Sequence, residues 1–303
     1  MTGTAVVVPA EYAATHHQIF GDGPWLTDLP ALAEQRLEAW DLRLDGDPRH
    51  GMVALVLPVL RSDGTPAVLK LQPVTTDTAG EPLGLRTWDG RGAVRMLEHD
   101  PDSGSMLLER LGTALSGVDD DDAAVGVIAG LLARLHAVAA PAGVRALGDI
   151  ASAMVRDTPQ ACTQLEDGDA ALLRRLADVV TDLLAEPGDR LLHWDLHYDN
   201  VLAGDREPWL AIDPQPLIGD PGFDLLPALD NRWEQLVATG DLPAALRRRL
   251  AILTDVLGLD RRRAVGWSLG RVLQNCLWDV EDGETRLNPV QTTIAEILLP
   301  LGP

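Results

Sequence analysis

The stretch Leu191-Leu192-His193-Trp194-Asp195-Leu196-His197-Tyr198-Asp199-Asn200-Val201-Leu202, followed by Leu210-Ala211-Ile212-Asp213, constrains the fold of this chain more than any other. Apolar runs bracket an H-x-D-x4-N core, and a further short run delivers a second aspartate. This reads as strand, loop, strand, with Asp195, Asn200 and Asp213 at the rim of one cleft. Phosphoryl transfer to a hydroxyl needs a carboxylate to orient the nucleophile and accept its proton. It also needs an amide and a second carboxylate to hold Mg²⁺ against nucleotide phosphates. The three side chains supply those groups in that order, and a rigid loop between strands suits chemistry that depends on positioning.

Two other readings fit the same residues. His193, Asp195 and His197 alternate as metal ligands on one strand face would, or they form an ordinary polar turn. A metal hydrolase needs further histidines downstream, and the seven histidines end at His197. The downstream partner is Asp213, an oxygen donor of the kind Mg²⁺ prefers.

A length of 303 residues suffices for two domains or two lobes. With 23% charged and 46% hydrophobic residues the chain is globular rather than disordered. A net charge of −21 argues against nucleic acid and anionic membranes as partners and suits a cationic small molecule, although a solvated acidic surface also accounts for it. Cys162 and Cys276 are too few and too far apart for a disulfide framework or a zinc site. With no signal-like start and no run of about 18 apolar residues, the expectation is a cytoplasmic protein.

Of the 25 basic residues 24 are arginine, and the exception is Lys70, in the apolar run Ala67-Val68-Leu69-Lys70-Leu71. A compact ammonium fits between phosphate oxygens and a carboxylate where a planar guanidinium does not. A chain that writes arginine everywhere else and lysine here points to a phosphate-binding role for Lys70. Glu81, at the start of a helix expected over 81–88 with Pro82 in its first turn, is the candidate partner; otherwise it is a helix-start carboxylate facing water.

Helical spacing covers 9–20 and 29–40, read as peripheral helices, with Thr27 or Asp28 as cap of the second and Pro30 in its first turn. Strand patterns follow at 39–44, 52–60, 67–72, 93–98 and 105–109, joined by turns over 45–51 and 62–65 and an Asp-Pro-Asp-Ser-Gly turn. The 45–51 turn stands where a kinase covers phosphates with backbone N–H groups, but it lacks the G-x-G-x-x-G spacing. Composition changes after Glu109-Arg110-Leu111-Gly112. The acidic run 119–122 starts a helix, and helical patterns cover 123–140, 170–185, 225–237, 243–257 and 264–280. The expected class is α+β: residues 1–111 form a small antiparallel-sheet lobe with one main helix, and 112–303 form a mostly helical lobe.

The ordered set Lys70, Glu81, Leu108-Glu109-Arg110-Leu111, His193-x-Asp195-x4-Asn200 and Asp213 resembles the aminoglycoside phosphotransferase branch of the protein-kinase-like fold. Within it, Trp88-Asp89-Gly90-Arg91-Gly92-Ala93-Val94-Arg95, His193-Trp194-Asp195-Leu196-His197 and the run from Ile212 to Leu225 look like the streptomycin 6-kinase and hydroxyurea phosphotransferase group. The resemblance implies a bilobal kinase that binds ATP and Mg²⁺ in its cleft. Lys70 would contact the α- and β-phosphates, Glu81 would hold Lys70, and the backbone from Glu109 to Leu111 would read adenine. Asp195 would be the catalytic aspartate, braced by His193; Asn200 and Asp213 would bind Mg²⁺, and Asp224 would support the loop. Pro214-Gln215 replaces the Phe-Gly of protein kinases, which argues against an activation-loop switch.

The acceptor is expected beside Asp195, with Asp230, Asn231, Arg232, Gln274, Asn275 and Trp278 as candidate lining. Trp278 is at helical spacing with Trp267 and equally fits a core position. Three functions remain open: a kinase for an aminoglycoside such as streptomycin, a metabolic kinase for an amino sugar or another small hydroxyl compound, and an inactive nucleotide-binding module. Lys70, Asp195, Asn200 and Asp213 occurring together weigh against the third.

Overall fold

The computed structural model describes residues 6–302 of a chain that divides into two compact units, Met1–Gly112 and Thr113–Pro303. The first opens with α1 (Ala10–Phe20) and α2 (Trp25–Ala39). Neither is peripheral. Tyr12, Leu29 and Ala33 are fully buried in one core with Leu55, Leu57, Leu69 and Leu71 of the sheet. Trp25 and Leu26 pack on this core, and Trp25 Nε1 donates to the Tyr12 hydroxyl at 3.0 Å. Their burial starts α2 before the polar residues Thr27 and Asp28, which therefore lie inside the helix and cap nothing, while Pro30 falls beyond the first turn.

The sheet follows from alternation. The strands are β1 (Arg43–Leu44), β2 (Arg49–His50), β3 (Leu55–Leu60) and β4 (Pro66–Leu71), then α3 (Glu81–Trp88), β5 (Met96–Asp100) and β6 (Ser105–Glu109). Their order is β1-β3-β4-β6-β5, with β2 also on β3. β1 and β2 are one edge strand broken by a bulge: Leu44 pairs with Val59 and Arg49 with Val56, so residues 45–48 oppose only 57 and 58. Pro58 explains the break. Its carbonyl accepts the Asp45 N–H at 2.9 Å, but it has no N–H to return, and Gly46 at φ 142° carries the chain around its ring. The expected turn over 45–51 is therefore this bulge, and the reversal lies at 51–54, closed by the Gly51 N–H on the Ala54 carbonyl at 3.0 Å. Ala67, Leu69 and Leu71 of β4 enter the core with α1 and α2. Period-2 alternation puts Lys70 on the opposite face.

The second unit begins with α4 (Asp121–Leu135), capped by Asp120, whose side chain accepts the Ala123 N–H at 3.1 Å. Then come β7 (Arg145–Ala146), α5 (Leu147–Ala161), α6 (Asp167–Leu183), β8 (Arg190–Leu192), β9 (Val201–Ala203), β10 (Trp209–Ala211) and β11 (Leu217–Gly219). Five helices complete it among the described residues: α7 (Leu226–Asp230), α8 (Trp233–Ala238), α9 (Leu242–Leu257), α10 (Arg261–Glu281) and α11 (Pro289–Leu298). β9 and β10 form an antiparallel hairpin, while β11 pairs parallel with β7 and antiparallel with β8. α10 is the central helix, buried on every side and packed on α5, α6 and α11.

Three expectations change. The helix expected over 225–237 is broken into α7 and α8 at Asn231 and Arg232, the latter at φ 56°. α5 and α11 are additional. α5 carries Pro159 and buries a sparse stripe of Leu147, Ala151, Met154, Thr158 and Ala161, too weakly apolar to announce itself. Among the described residues no helix is long and apolar enough to cross a membrane.

Candidate active site

β8 brings buried Leu191 and Leu192 alongside Ile218 and Leu217 of β11, and the chain leaves this anchored edge into the H-x-D loop. Trp194 takes φ 68°, a conformation that turns successive N–H groups the same way. Both meet one carboxylate: the His193 N–H reaches Asp224 Oδ2 at 2.9 Å and the Trp194 N–H reaches Oδ1 at 2.5 Å. His136 Nε2 donates to the same Oδ2 at 2.8 Å. Burial alone would raise the Asp224 carboxyl, but the His136 hydrogen bond and charge, with His193, hold it below its ordinary value. The strained Trp194 is held by its ring, over which lie the guanidinium groups of Arg145 and Arg271 at 4.7 and 5.5 Å.

His193 is fully buried, with Nε2 donating to the Ile212 carbonyl at 3.0 Å and its own carbonyl accepting the Gln215 N–H at 3.0 Å. Burial pushes its pKa down to about 4. A neutral imidazole bridging two segments of backbone is a brace. His193, grouped with Asp195 as a candidate catalytic residue and expected to brace it, does not line the pocket that Asp195 lines and acts on the loop's backbone.

The β9–β10 register accounts for the next two groups. Val201 pairs with Ala211, so the residues just outside the hairpin, Asn200 and Ile212, also meet, with the Ile212 N–H on the Asn200 carbonyl at 2.9 Å. Asp213 follows at φ 55°. Asn200 Nδ2 donates to the Asp195 carbonyl at 2.9 Å and approaches Asp195 Oδ2 at 3.4 Å, closing the turn. With its NH₂ so engaged, Asn200 has its amide oxygen as the atom suited to a cation, and Asp213 carries carboxylate oxygens. Such hard donors, few in number, suit Mg²⁺ shared with phosphates rather than a closed protein cage. Among the described residues no cluster of three His, Cys, Asp or Glu side chains is arranged to hold a metal, which disfavours the His193-Asp195-His197 ligand set.

Beside Asp195 lies a pocket of about 160 Å³, walled by His197, Leu226, Pro227, Asp230, Asn231, Arg271 and Asn275. Burial raises the Asp195 carboxyl above its ordinary value, against the pull of His197 and Arg271. Burial likewise raises Asp230, whose Oδ2 accepts from Gln291 Nε2 at 3.1 Å.

Asp230, Asn231 and Asn275 thus line the pocket beside Asp195, and three other candidates do not. Arg232 donates to the Val118 carbonyl at 2.9 Å and lies over the Tyr198 ring at 5.2 Å. Gln274 is buried, its Oε1 accepting from Trp194 Nε1 at 3.2 Å. Trp278 is 42% exposed and outside the pocket. His197 and Arg271 are additions; the helical i, i+4 spacing of Arg271 and Asn275 on α10 is the signal that finds the second. Arg249 is also missed. Its Nη1 gathers the carbonyls of Ala228, Leu229 and Asn231 at 3.1, 3.2 and 2.7 Å, and its Nε and Nη2 reach Asp121 at 2.8 and 2.6 Å. It thereby fixes the end of α7, from which Asp230 and Asn231 enter the pocket.

In the first unit, Lys70 Nζ stands 2.7 Å from both carboxylate oxygens of Glu81, and both residues are buried. Gln72 Nε2 donates to Glu81 Oε2 at 2.7 Å. Glu109 ends β6 with its N–H on the Arg95 carbonyl at 3.0 Å and its Oε1 accepting the Arg95 N–H at 2.8 Å. The Glu109 N–H is therefore taken, and Leu111 beyond it is half-buried. Arg110 pins this end of the sheet through Asp45 at 2.7 Å and the carbonyls of Ala67 and Val59.

Residues 39–283 match the aminoglycoside/hydroxyurea antibiotic resistance kinase family. A streptomycin 6-kinase from Streptomyces glaucescens is 56% identical over 98% of both chains. A hydroxyurea phosphotransferase from Kitasatospora aureofaciens is 52% identical over 98% of this chain and 87% of its own. Among solved structures, a macrolide 2′-phosphotransferase from Brachybacterium faecium aligns with TM-score 0.58 at 20% identity, covering 90% of this chain and 98% of that one. A choline/ethanolamine kinase family protein from Mesorhizobium loti gives TM-score 0.58 at 17% identity, over 85% and 87%. At such identities the likeness speaks to the fold, which is protein-kinase-like. The chain belongs to the aminoglycoside/hydroxyurea antibiotic resistance kinase family, ATP-dependent phosphotransferases that act on a hydroxyl group.

Proposed function

We propose that this chain phosphorylates a hydroxyl of an aminoglycoside, with streptomycin as the favoured acceptor. Full-length identity of 56% to a streptomycin 6-kinase is the observation that carries the acceptor. The turn that joins Asp195 to Asn200 supports the chemistry. The acceptor hydroxyl gives its proton to Asp195 as its oxygen bonds to the γ-phosphorus, and the bond to the β-phosphate oxygen breaks to release ADP. Asn200 and Asp213 would hold Mg²⁺, which would supply positive charge to the phosphates. Lys70, oriented by Glu81, contacts the α- and β-phosphates, and the backbone from Glu109 to Leu111 reads the adenine. His193 keeps the loop in register, and Asp230 and Asn231 contact the acceptor.

A relative named for hydroxyurea, 52% identical, supports a second reading in which the acceptor is another small hydroxyl compound. The test is kcat/KM with Mg·ATP across streptomycin, glucosamine, hydroxyurea and a deoxystreptamine aminoglycoside, with the product identified by mass spectrometry. Streptomycin is expected to lead. Turnover of a simple sugar with none of streptomycin above the ATPase background overturns the antibiotic reading and leaves the kinase.

A further inference from the structure

The pocket beside Asp195 contains a buried cation, which an acidic chain attracting a cationic ligand does not obviously need. Arg271 is 8% exposed and held among the rings of Trp194, Phe223 and Trp278, at 5.5, 5.8 and 5.1 Å. Its Nη1 donates to Gln274 Oε1. Its Nε–H is buried and, among the described residues, bonds to no protein atom, although the residue lines the same pocket as Asp195 and Asp230. Native structures rarely leave a buried guanidinium so thinly bonded, and where such a residue lines a pocket the acceptors come with what enters it.

The pocket's groups fix the chemistry of that ligand. Asp230 accepts and Arg271 donates, from one small space. Ammonium and guanidinium groups have donors only; they would satisfy Asp230 but set like charge against Arg271. A hydroxyl both donates and accepts, so one hydroxyl can serve both walls. At about 160 Å³ the pocket is smaller than the roughly 300–1,000 Å³ typical of whole-ligand sites, and it admits an edge of a ring rather than a complete aminoglycoside.

We propose that Arg271 is a specificity-determining residue for the acceptor: its guanidinium donates to an oxygen neighbouring the reacting hydroxyl, so the pocket takes a vicinal-diol edge and cationic groups stay at its rim. This rests on the reading of the pocket as the acceptor site. The −21 charge then serves to attract the ligand, while selection inside the pocket is made on oxygen.

The experiment compares the acceptor that the wild type turns over best with its analogue in which the hydroxyl next to the phosphorylated one is replaced by hydrogen. Wild type is expected to prefer the parent by about tenfold or more in kcat/KM, as sites built to bond a hydroxyl do. Arg271→Met is expected to raise the acceptor KM about tenfold, leave the ATP KM within about twofold, and bring the two acceptors to near equality. Arg271→Lys keeps the charge but loses the planar fork of donors, and is expected to lose the same discrimination should the methionine variant fold poorly. If either folded variant keeps the wild-type ratio between the two acceptors, whatever its absolute rate, Arg271 only packs against Trp194 and the proposal is overturned. A wild type that phosphorylates nothing on the panel would instead sink the acceptor-pocket reading, and this proposal with it.

Discussion

Asp224 and His136 meet at 2.8 Å across 88 residues of chain, tying the end of α4 to the backbone that presents Asp195. The same carboxylate carries the His193 and Trp194 N–H groups, so the site's geometry depends on its charge.

Acid should therefore loosen the site in two stages. His193 has a folded pKa of about 4 against an ordinary 6.5, so its contribution is full above pH 6.5 and is lost as pH falls from there towards 4. At 1.36 kcal/mol per pH unit the loss approaches about 3 kcal/mol. Asp224, held below its ordinary 3.8, adds its own loss only under still more acid conditions. Urea midpoints of wild type minus those of His193→Asn, measured from pH 7.5 to 4, should shrink over this window; a constant difference would show that His193 is not buried as a neutral ring.

Removing one member of the Lys70–Glu81 pair should cost more than removing its charge from both. Glu81→Ala leaves a buried ammonium and is expected to destabilise by about 3–5 kcal/mol, whereas Lys70→Met combined with Glu81→Gln should recover most of that loss. The double variant should still fail to bind ATP normally. Chemical denaturation and nucleotide titration separate the two effects, and a double variant with wild-type ATP affinity would remove Lys70 from the nucleotide site.

Asp195→Asn should lower kcat by about 10²–10⁴-fold while nucleotide affinity changes little. Because burial raises the Asp195 carboxyl, the acid limb of kcat/KM should fall above the ordinary carboxylate value of 3.8, and His197→Asn should move it higher by removing a charge that favours the ionised form. A limb that stays put in the His197 variant would argue that another group controls it.

Two glycines with similar backbone should respond differently to alanine. Gly188 at φ +88° has the Asp220 backbone nitrogen 2.3 Å from where a Cβ would stand, while Gly143 at φ +91° has open space. Gly143→Ala should cost about 1–2 kcal/mol for the left-handed conformation alone. Gly188→Ala adds a clash with backbone that carries β11 towards Asp224, and at least about 3 kcal/mol is expected. Equal melting shifts for the two would mean that the strand relaxes freely.

The turn from Asp195 to Asn200 is legible in the sequence because it is local: the two residues are five apart, and the β9–β10 hairpin that brings in Asp213 is short. The bounds of α3 are legible for the same reason, with Pro82 marking the start. The break between α7 and α8 is not, since Arg249 causes it by collecting carbonyls some 20 residues away along the chain. The edge bulge at 45–48 is hidden too, because its cause is Pro58 on the neighbouring strand. The pocket lining fails in part for a different reason: Arg232, Gln274 and Trp278 are as polar or aromatic as Asp230 and Asn231, and only packing decides which of them turn inward.

Lys70 also makes this chain an unusual substrate for amine chemistry. It carries the one ε-amine in the sequence, 4% exposed and held at 2.7 Å by Glu81. Side-chain acylation therefore has a single address, and the folded protein shields it. Modification can proceed only when the strand bearing Lys70 and the helix bearing Glu81 part, so the rate at which an acyl reagent adds there is a one-site clock for local opening of the first unit, and a bound nucleotide should slow it.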